Sequence, residues 1–351
     1  MIRHKPVSLP QLDPTELPHL LGEADRLPLL ITGIAGVAGY NGFAFFRNRY
    51  GDQVSGQRPK NNWPLNGPGI EGVDLEDADG IRRLLDKGGF RTVLNCGGSC
   101  ALKSCELDPE MARRVNVRGI EKLLDEMEDR PIRFVHLSID LVYSGTGTGG
   151  HIETDAPDPV TVYGKTMVEA EQLILSRRPD SCVARISLPM GVSFNGHAGA
   201  IDWIQHRFAS NKPATLYFDE VRTPTYVGCL NETLERILAS ELSGLFHAGG
   251  QRKLSLYQIA QIVNRVGGYD PGLLQGCPRI DAGPMPPRAG NVTMDSSRLA
   301  IALGAQPFIP WPYVPEHVPT DRRWHYERDR FCGSVQLLRD TLYLRPLRAD
   351  E

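Results

Sequence analysis

Residues 28–39 read Pro28-Leu29-Leu30-Ile31-Thr32-Gly33-Ile34-Ala35-Gly36-Val37-Ala38-Gly39, an apolar run set directly against three glycines. Leu29 to Ile31 have the aliphatic character of a buried parallel strand. Gly33, Gly36 and Gly39 follow at the spacing that lets a backbone turn tightly and pass close to a pyrophosphate before a helix begins. The N-terminus of such a helix offers unpaired N–H groups and the positive end of its dipole to phosphates. A glycine pattern alone also marks ordinary strand-ending turns; the apolar strand in front of this one points to a bound dinucleotide.

Working outward, Val37, Tyr40, Phe43, Ala44 and Phe46 recur at helical spacing up to Tyr50, and Gly51 is a stop signal. Strands are expected near 53–57, 92–94, 132–137 and 182–187, with helices over 108–127 and 162–175 between them. Alternation of this kind predicts an α/β fold, a Rossmann-type doubly wound parallel sheet covered by helices on both faces. Beyond Pro189 the pattern loosens into loop-rich segments, with helical stretches at 227–240 and 255–266 and a strand at 245–248. The expected organisation is an N-terminal extension (1–27), a dinucleotide-binding domain (28–189), a smaller, partly discontinuous substrate lobe (190–309) with segments returning to the sheet, and a C-terminal extension (310–351). Pro310, Pro312, Pro315 and Pro319 interrupt the chain at the start of that extension.

The 351 residues can bury a sizeable core. With 39 basic and 42 acidic residues interspersed, a net charge of -3 provides no global field for nucleic acid or an anionic membrane, so a small-molecule partner is expected. The first residues carry prolines and scattered charge instead of a leader's apolar core, and no stretch approaches a membrane span, so a cytoplasmic protein is expected. Seven dispersed cysteines do not suggest a disulfide framework, and the spacing of Cys96, Cys100 and Cys105 matches no common zinc site.

Further segments fall into one order behind the glycines. They are Val73-Asp74-Leu75, Asn95-Cys96-Gly97-Gly98, Asn116 in a helix, His136-Leu137-Ser138-Ile139-Asp140-Leu141-Val142-Tyr143, and Val162-Tyr163-Gly164-Lys165-Thr166. Arg222-Thr223-Pro224-Thr225-Tyr226-Val227 and Pro287-Arg288-Ala289-Gly290-Asn291, leading to Asp295-Ser296-Ser297, continue the series. On these residues the chain resembles the extended short-chain dehydrogenase/reductases, and among them the dTDP-4-dehydrorhamnose reductases and their relatives, which include the regulatory β subunit of methionine adenosyltransferase. The resemblance spans roughly Leu29 to Leu303.

The resemblance implies that Gly33, Gly36, Val37 and Gly39 surround the pyrophosphate and that Asp74 and Leu75 flank the adenine. Cys96, Gly97 and Gly98 would line the path to the nicotinamide, with Tyr163 at its end. Where many NAD-binding relatives carry an acidic residue for the ribose 2′-OH, this sequence reads Gln57-Arg58-Pro59-Lys60. A guanidinium clamps a 2′-phosphate through paired donors and a carboxylate repels it, so Arg58 favours NADP, with NAD as the alternative. The other reading of Arg58 and Lys60 is a solvated loop.

In the family resembled, a tyrosine donates a proton to the alkoxide formed from a 4-keto sugar. A lysine one turn later lowers the tyrosine pKa and holds the nicotinamide ribose, and a Ser or Thr at the preceding strand end binds the same oxygen. Tyr163 matches the tyrosine, but Met167 stands four residues on and Ile139 occupies the hydroxyl position. Free tyrosine titrates near about 10, so the missing cation matters. Lys165 is no substitute: at roughly 100° per residue it points about 200° away from Tyr163, whereas position 167 shares that face about 6 Å along the axis. Ser138, one residue from Ile139, faces the other side of a regular strand and reads as packing or backbone-bonded.

Asp140 matches an aspartate that acts as an acid in sugar-nucleotide dehydratases, although a loop aspartate also commonly caps backbone N–H groups. By family position, Arg222, Arg288 and Asn291 meet a substrate diphosphate, the alternative being interlobe ion pairs. His136 reads as a core histidine, and His197, in a glycine-flanked loop, as able to approach a ligand. The implied function is NADP-dependent reduction of a nucleotide-linked 4-keto sugar, with Tyr163 as proton donor and the catalytic set degenerate at Ile139 and Met167. Two alternatives stay open: a catalytically silent NADP-binding regulatory or scaffold subunit that pairs with a protein partner or a second copy, and a dehydratase or epimerase using Asp140.

Overall fold

The computed structural model describes residues 19–196, 199–283, 286–328 and 333–343. Seven strands, β1 (Leu29–Thr32), β2 (Val54–Arg58), β3 (Ile70–Gly72), β4 (Thr92–Asn95), β5 (Arg133–Ile139), β6 (Cys182–Ile186) and β7 (Gly244–Ala248), form one parallel sheet. Their spatial order is β7-β6-β5-β4-β1-β2-β3. Every residue of β1 is buried, which is why its sequence is apolar without alternation. Leu29 and Ile31 join the core on one face of the sheet and Leu30 joins the core on the other.

Helices α1 (Val37–Tyr50), α2 (Ala78–Gly88), α3 (Gly119–Met127), α4 (Val162–Arg177), α5 (Ala200–Ala209), α6 (Val227–Ala239), α7 (Leu256–Val266) and α8 (Val335–Tyr343) complete the frame. The pair α1 and α6 covers one face, and α2, α3 and α4 cover the other. The doubly wound architecture is therefore as the alternation predicts. Among the described residues no helix is long and apolar enough to cross a membrane.

Three local differences have physical causes. In α1 the buried positions are Gly39, Gly42, Phe46 and Tyr50, and Ala44 is exposed, because Gly39 sits against the β1 turn with no space for a side chain and Gly42 faces Asn231 of α6. A Cβ on Gly39 would collide with the Gly33 carbonyl. The helix expected over 108–127 is broken by a π turn at Arg114–Arg118 between Pro109–Arg113 and α3. The described part of the C-terminal segment contributes to the core: Trp311, Trp324, Leu338 and Leu342 are buried, and α8 packs on α7.

A buried polar network ties α4 to the sheet. Arg185 of β6 donates to both carboxylate oxygens of Glu171 at 2.8 and 2.6 Å and to the Tyr143 hydroxyl at 2.6 Å. That hydroxyl lies 3.0 Å from Nε2 of His247 in β7.

Candidate active site and cofactor cleft

The strand order reverses between β1 and β4, and the crevice this opens at the strands' C-terminal ends is where open α/β sheets bind ligands. The first turn past β1 is built for close approach. Gly33 has φ +69°, and a Cβ there would sit 2.5 Å from the Cys96 carbonyl and from the Gly97 Cα. Its N–H donates to Gln57 Oε1 at 2.9 Å, and Gln57 in turn donates to the Val73 carbonyl. Gly36 differs: a Cβ there would meet nothing nearer than the Gly33 carbonyl oxygen at 3.6 Å.

Gly36 is the N-cap of α1 and supplies no side-chain cap. The first N–H groups of a helix have no intrahelical acceptor. Gly36, Val37, Ala38 and Gly39 all line a cavity of about 280 Å³, so this helix end opens onto free space suited to an anion.

Opposite the glycines the wall is Cys96, Gly97, Gly98 and Cys100. Asn95 fixes this segment: its Oδ1 accepts from the Thr32 hydroxyl at 2.5 Å and from the Gly97 N–H at 3.0 Å, and its Nδ2 donates to His136 Nδ1 at 2.9 Å. That last bond leaves the proton of a neutral imidazole on Nε2. Burial lowers the His136 pKa to about 3, as befits a core histidine. Asn116, in the π turn, accepts from the Ser99 N–H at 2.6 Å and donates to Thr166 Oγ1 at 2.9 Å, joining the cavity wall to α4. Burial raises the Cys96 thiol to about 12.

The far end of the cavity holds Tyr163, on the first turn of α4, with Met167 one turn on and Ile139 at the end of β5. Lys165 is exposed on the other side of the helix. Leu102, Leu137, Leu141, Ile186 and Leu188 make this end apolar. Tyr163 is 8% exposed, and burial drives its pKa far above the ordinary value; the Asp140 carboxylate pushes the same way and Arg222 opposes it. The phenol is therefore protonated across the physiological range. Its hydroxyl has no hydrogen-bond partner among the described residues. Ser138 is buried among the lining residues, and its hydroxyl likewise has no partner there, so the backbone bond expected of it is not formed.

Asp140, Arg222, Asn291 and Arg58 depart from their expected roles. Asp140 is fully buried; both carboxylate oxygens accept from Arg222, Nε at 2.6 Å and Nη2, and Ser187 Oγ donates to it at 2.5 Å. A carboxylate so committed is a clamp, not an exchangeable acid. The paired edge of Arg222 is likewise used inside the protein and cannot chelate a diphosphate. Asn291 is not in the wall of the cavity that ends at Tyr163; it holds the 145–150 loop through Thr148 O at 2.7 Å and accepts from Thr293 Oγ1 at 2.8 Å.

Arg58 Nε donates to Leu65 O, and Nη1 donates to Pro59 O at 3.0 Å and Lys60 O at 3.3 Å, so this guanidinium shapes the loop after β2 and offers no paired edge to a phosphate. The Asp74 carboxylate accepts from the Lys60 N–H at 2.9 Å, and Lys60 Nζ pairs with Asp77 at 2.9 Å. Leu75 packs against Gly97 and Gly119, which have room for no side chain there.

Arg288 lines a second cavity of about 290 Å³ with Trp203, Thr215 and Tyr217, and Ala200 and Ile201 at the start of α5 border both cavities. Its guanidinium lies over the Tyr217 ring at 4.7 Å and 3.7 Å from Glu220. His197 lies outside the described residues. Sequence reasoning missed Gln57, Ser187 and Asp202; the last accepts from the Gly199 N–H at 3.0 Å and from Ser193 Oγ at 2.6 Å, fixing the loop that leads into α5.

Known proteins resemble this chain in sequence and in fold. The chain is 26% identical over 296 residues to dTDP-4-keto-6-deoxy-D-glucose reductase of Streptomyces niveus, covering 80% of this chain and 93% of that protein. It is 25% identical over 319 residues to methionine adenosyltransferase 2 subunit beta of Xenopus tropicalis, covering 84% and 89%. The crystal structure of dTDP-4-dehydrorhamnose reductase from Bacillus anthracis, in complex with NADP, has the same fold, with a TM-score of 0.67 at 16% identity over 81% of this chain and 95% of that one. The RmlD substrate binding domain family model matches residues 29–314, and the chain belongs to that family.

Proposed function

We propose that the protein binds a nicotinamide dinucleotide in the β1–β4 crevice and reduces a nucleotide-linked 4-keto sugar, slowly, with Tyr163 as the proton donor. The observation that carries this reading is the uncapped N-terminus of α1 opening, through Gly36, onto the cavity that ends at Tyr163. The bound dinucleotide would supply the hydride. Gly33, Gly36, Val37 and Gly39 would take the pyrophosphate, Asp74 and Leu75 the adenosine side, and Cys96, Gly97 and Gly98 the nicotinamide side.

NADP is preferred over NAD because the end of β2, Gln57-Arg58-Pro59-Lys60, carries no carboxylate to bind a free ribose 2′-OH or to repel a 2′-phosphate. Arg288 would meet the nucleotide portion of the substrate from the second cavity. Tyr163, held protonated by burial, is in the form that can give a proton to an alkoxide.

A second reading, a catalytically silent dinucleotide-binding subunit, is supported by Ile139 and Met167, which put apolar groups into the cavity where the reductases carry a hydroxyl and a lysine. Both readings are tested by mixing the purified protein with NADPH and dTDP-4-keto-6-deoxy-D-glucose and following absorbance at the nicotinamide band. Measurable turnover supports the reductase; tight NADPH binding with no turnover on a panel of such sugars removes it and leaves the subunit.

A further inference from the structure

Building on the reductase reading, we propose that Arg222 is a catalytic residue of this chain, donating a hydrogen bond from Nη1 to the substrate oxygen that becomes the alkoxide. It does the work that the positions of Ile139 and Met167 have given up.

The geometry has four parts. Arg222 is 4% exposed and borders the same cavity as Tyr163, Ile139 and Met167. It is the one basic side chain among the described lining residues. Its Nε and Nη2 are held by Asp140, whose position is set by Ser187; the same Ser187 hydroxyl accepts from the Thr223 N–H at 3.1 Å, so the residue after Arg222 is fixed as well. Nη1 has no partner among the described residues and is not sealed from solvent, and Arg222 borders the cavity, so Nη1 is the edge of the guanidinium available to a ligand there.

The chemistry follows from that placement. As hydride reaches the carbonyl carbon, the C=O π pair moves onto oxygen; the charge forms between the Nη1–H and the Tyr163 O–H, and the phenol proton then passes to it, leaving the alcohol and a phenolate that is reprotonated from solvent. A donor held rigidly in a low-dielectric wall needs no reorganisation at that moment. The Asp140 carboxylate keeps the pair neutral overall, so the guanidinium can remain buried before substrate arrives. Lysine cannot replace it, because one ammonium cannot satisfy both Asp140 oxygens and reach the cavity in a fixed geometry.

The test compares the parent with Arg222→Lys and Arg222→Met by two readouts. The first is isotope-edited infrared of dTDP-4-keto-6-deoxy-D-glucose labelled with 13C at the 4-keto carbon, bound in the presence of NADP+, where no reduction occurs. The parent should lower the carbonyl stretch relative to the free ketone, and both variants should move it back up. The second is NADPH turnover, where Arg222→Met should lower kcat by roughly 10²- to 10³-fold with a much smaller change in KM, the effect of removing one oxyanion donor.

Thermal melts and NADPH titrations identify variants that merely fail to fold. If Arg222→Met misfolds, the folded Arg222→Lys carries the infrared comparison. A bound ketone whose stretch ignores both substitutions overturns the role of Arg222 while leaving the reductase intact. An Arg222-dependent shift without turnover upholds the donor and sinks the reductase. No binding of the keto sugar to the parent sinks both.

Discussion

Replacing Gly36 and Gly33 by alanine, one at a time, separates a phosphate cradle from a plain turn. At Gly33 a Cβ would be 2.5 Å from the backbone of Cys96 and Gly97, in the segment that follows the neighbouring strand β4, and φ is +69°. Left-handed backbone costs a non-glycine residue about 1–2 kcal/mol, and overpacking against rigid neighbours costs about 1–3 kcal/mol. Gly33→Ala should therefore destabilise by about 2 to 5 kcal/mol.

Gly36→Ala has the opposite profile. Its φ of -81° suits alanine, and the new methyl touches only the Gly33 oxygen at an ordinary 3.6 Å. Loss of a favourable N-cap residue is offset by a stiffer unfolded chain, each worth about 0.5–1 kcal/mol, so stability should barely change. The methyl does, however, occupy the approach to the α1 N–H groups. A hydrogen bond to a charged group is worth about 1.5–3 kcal/mol, so the dissociation constant for NADPH should rise by roughly 10- to 150-fold. Urea unfolding and calorimetric titration measure the two quantities. A Gly36→Ala protein that binds NADPH as the parent does would refute the cradle, since the glycines would then serve the turn alone.

Three other outcomes are expected. Ile139→Thr combined with Met167→Lys, which restores the two groups of the related reductases inside the cavity, should raise NADPH-dependent turnover by about 10²- to 10⁴-fold; a double variant no faster than the parent would show that these positions do not limit the reaction. His136, His247 and His325 are fully buried, and burial lowers them to about 3, about 4 and about 4. Below their unfolded value of about 6.5 the unfolded chain binds more protons, so stability should fall as pH falls, by up to about 1.4 kcal/mol per pH unit for each, and show no histidine slope above it. Urea midpoints that stay constant down to about pH 5 would contradict this. Glu171→Ala strands the buried Arg185 guanidinium and should cost about 3–5 kcal/mol in urea unfolding; a loss under about 1 kcal/mol would mean that Arg185 finds another partner.

The fold was legible because β1, the glycine turn and the alternation of strands and helices are local patterns. The same holds for the inner face of α4: helical spacing alone places Met167 beside Tyr163 and Lys165 outside, and the structure has them there. What sequence could not show depends on side-chain reach and on distant pairing. Arg58 reads in sequence as a cation at the end of β2, yet its long side chain curls back onto the carbonyls of its own loop. Asp140 and Arg222 are 82 positions apart, and no periodicity links a residue after β5 to one in the second lobe. Gln57 reads as an ordinary polar strand end but turns inward to satisfy Gly33. The burial of Gly39 follows from how closely α1 sits on the β1 turn, a distance that hydrophobic spacing does not encode.

The central claim is that the cleft keeps its hold on a nicotinamide dinucleotide while the groups around Tyr163 have been simplified. Calorimetric titration of dinucleotide-free protein with NADPH and NADH tests it most directly. Saturable one-to-one binding, tighter for NADPH, is the predicted result; an absence of binding heat for both coenzymes, confirmed by equilibrium dialysis, would contradict it.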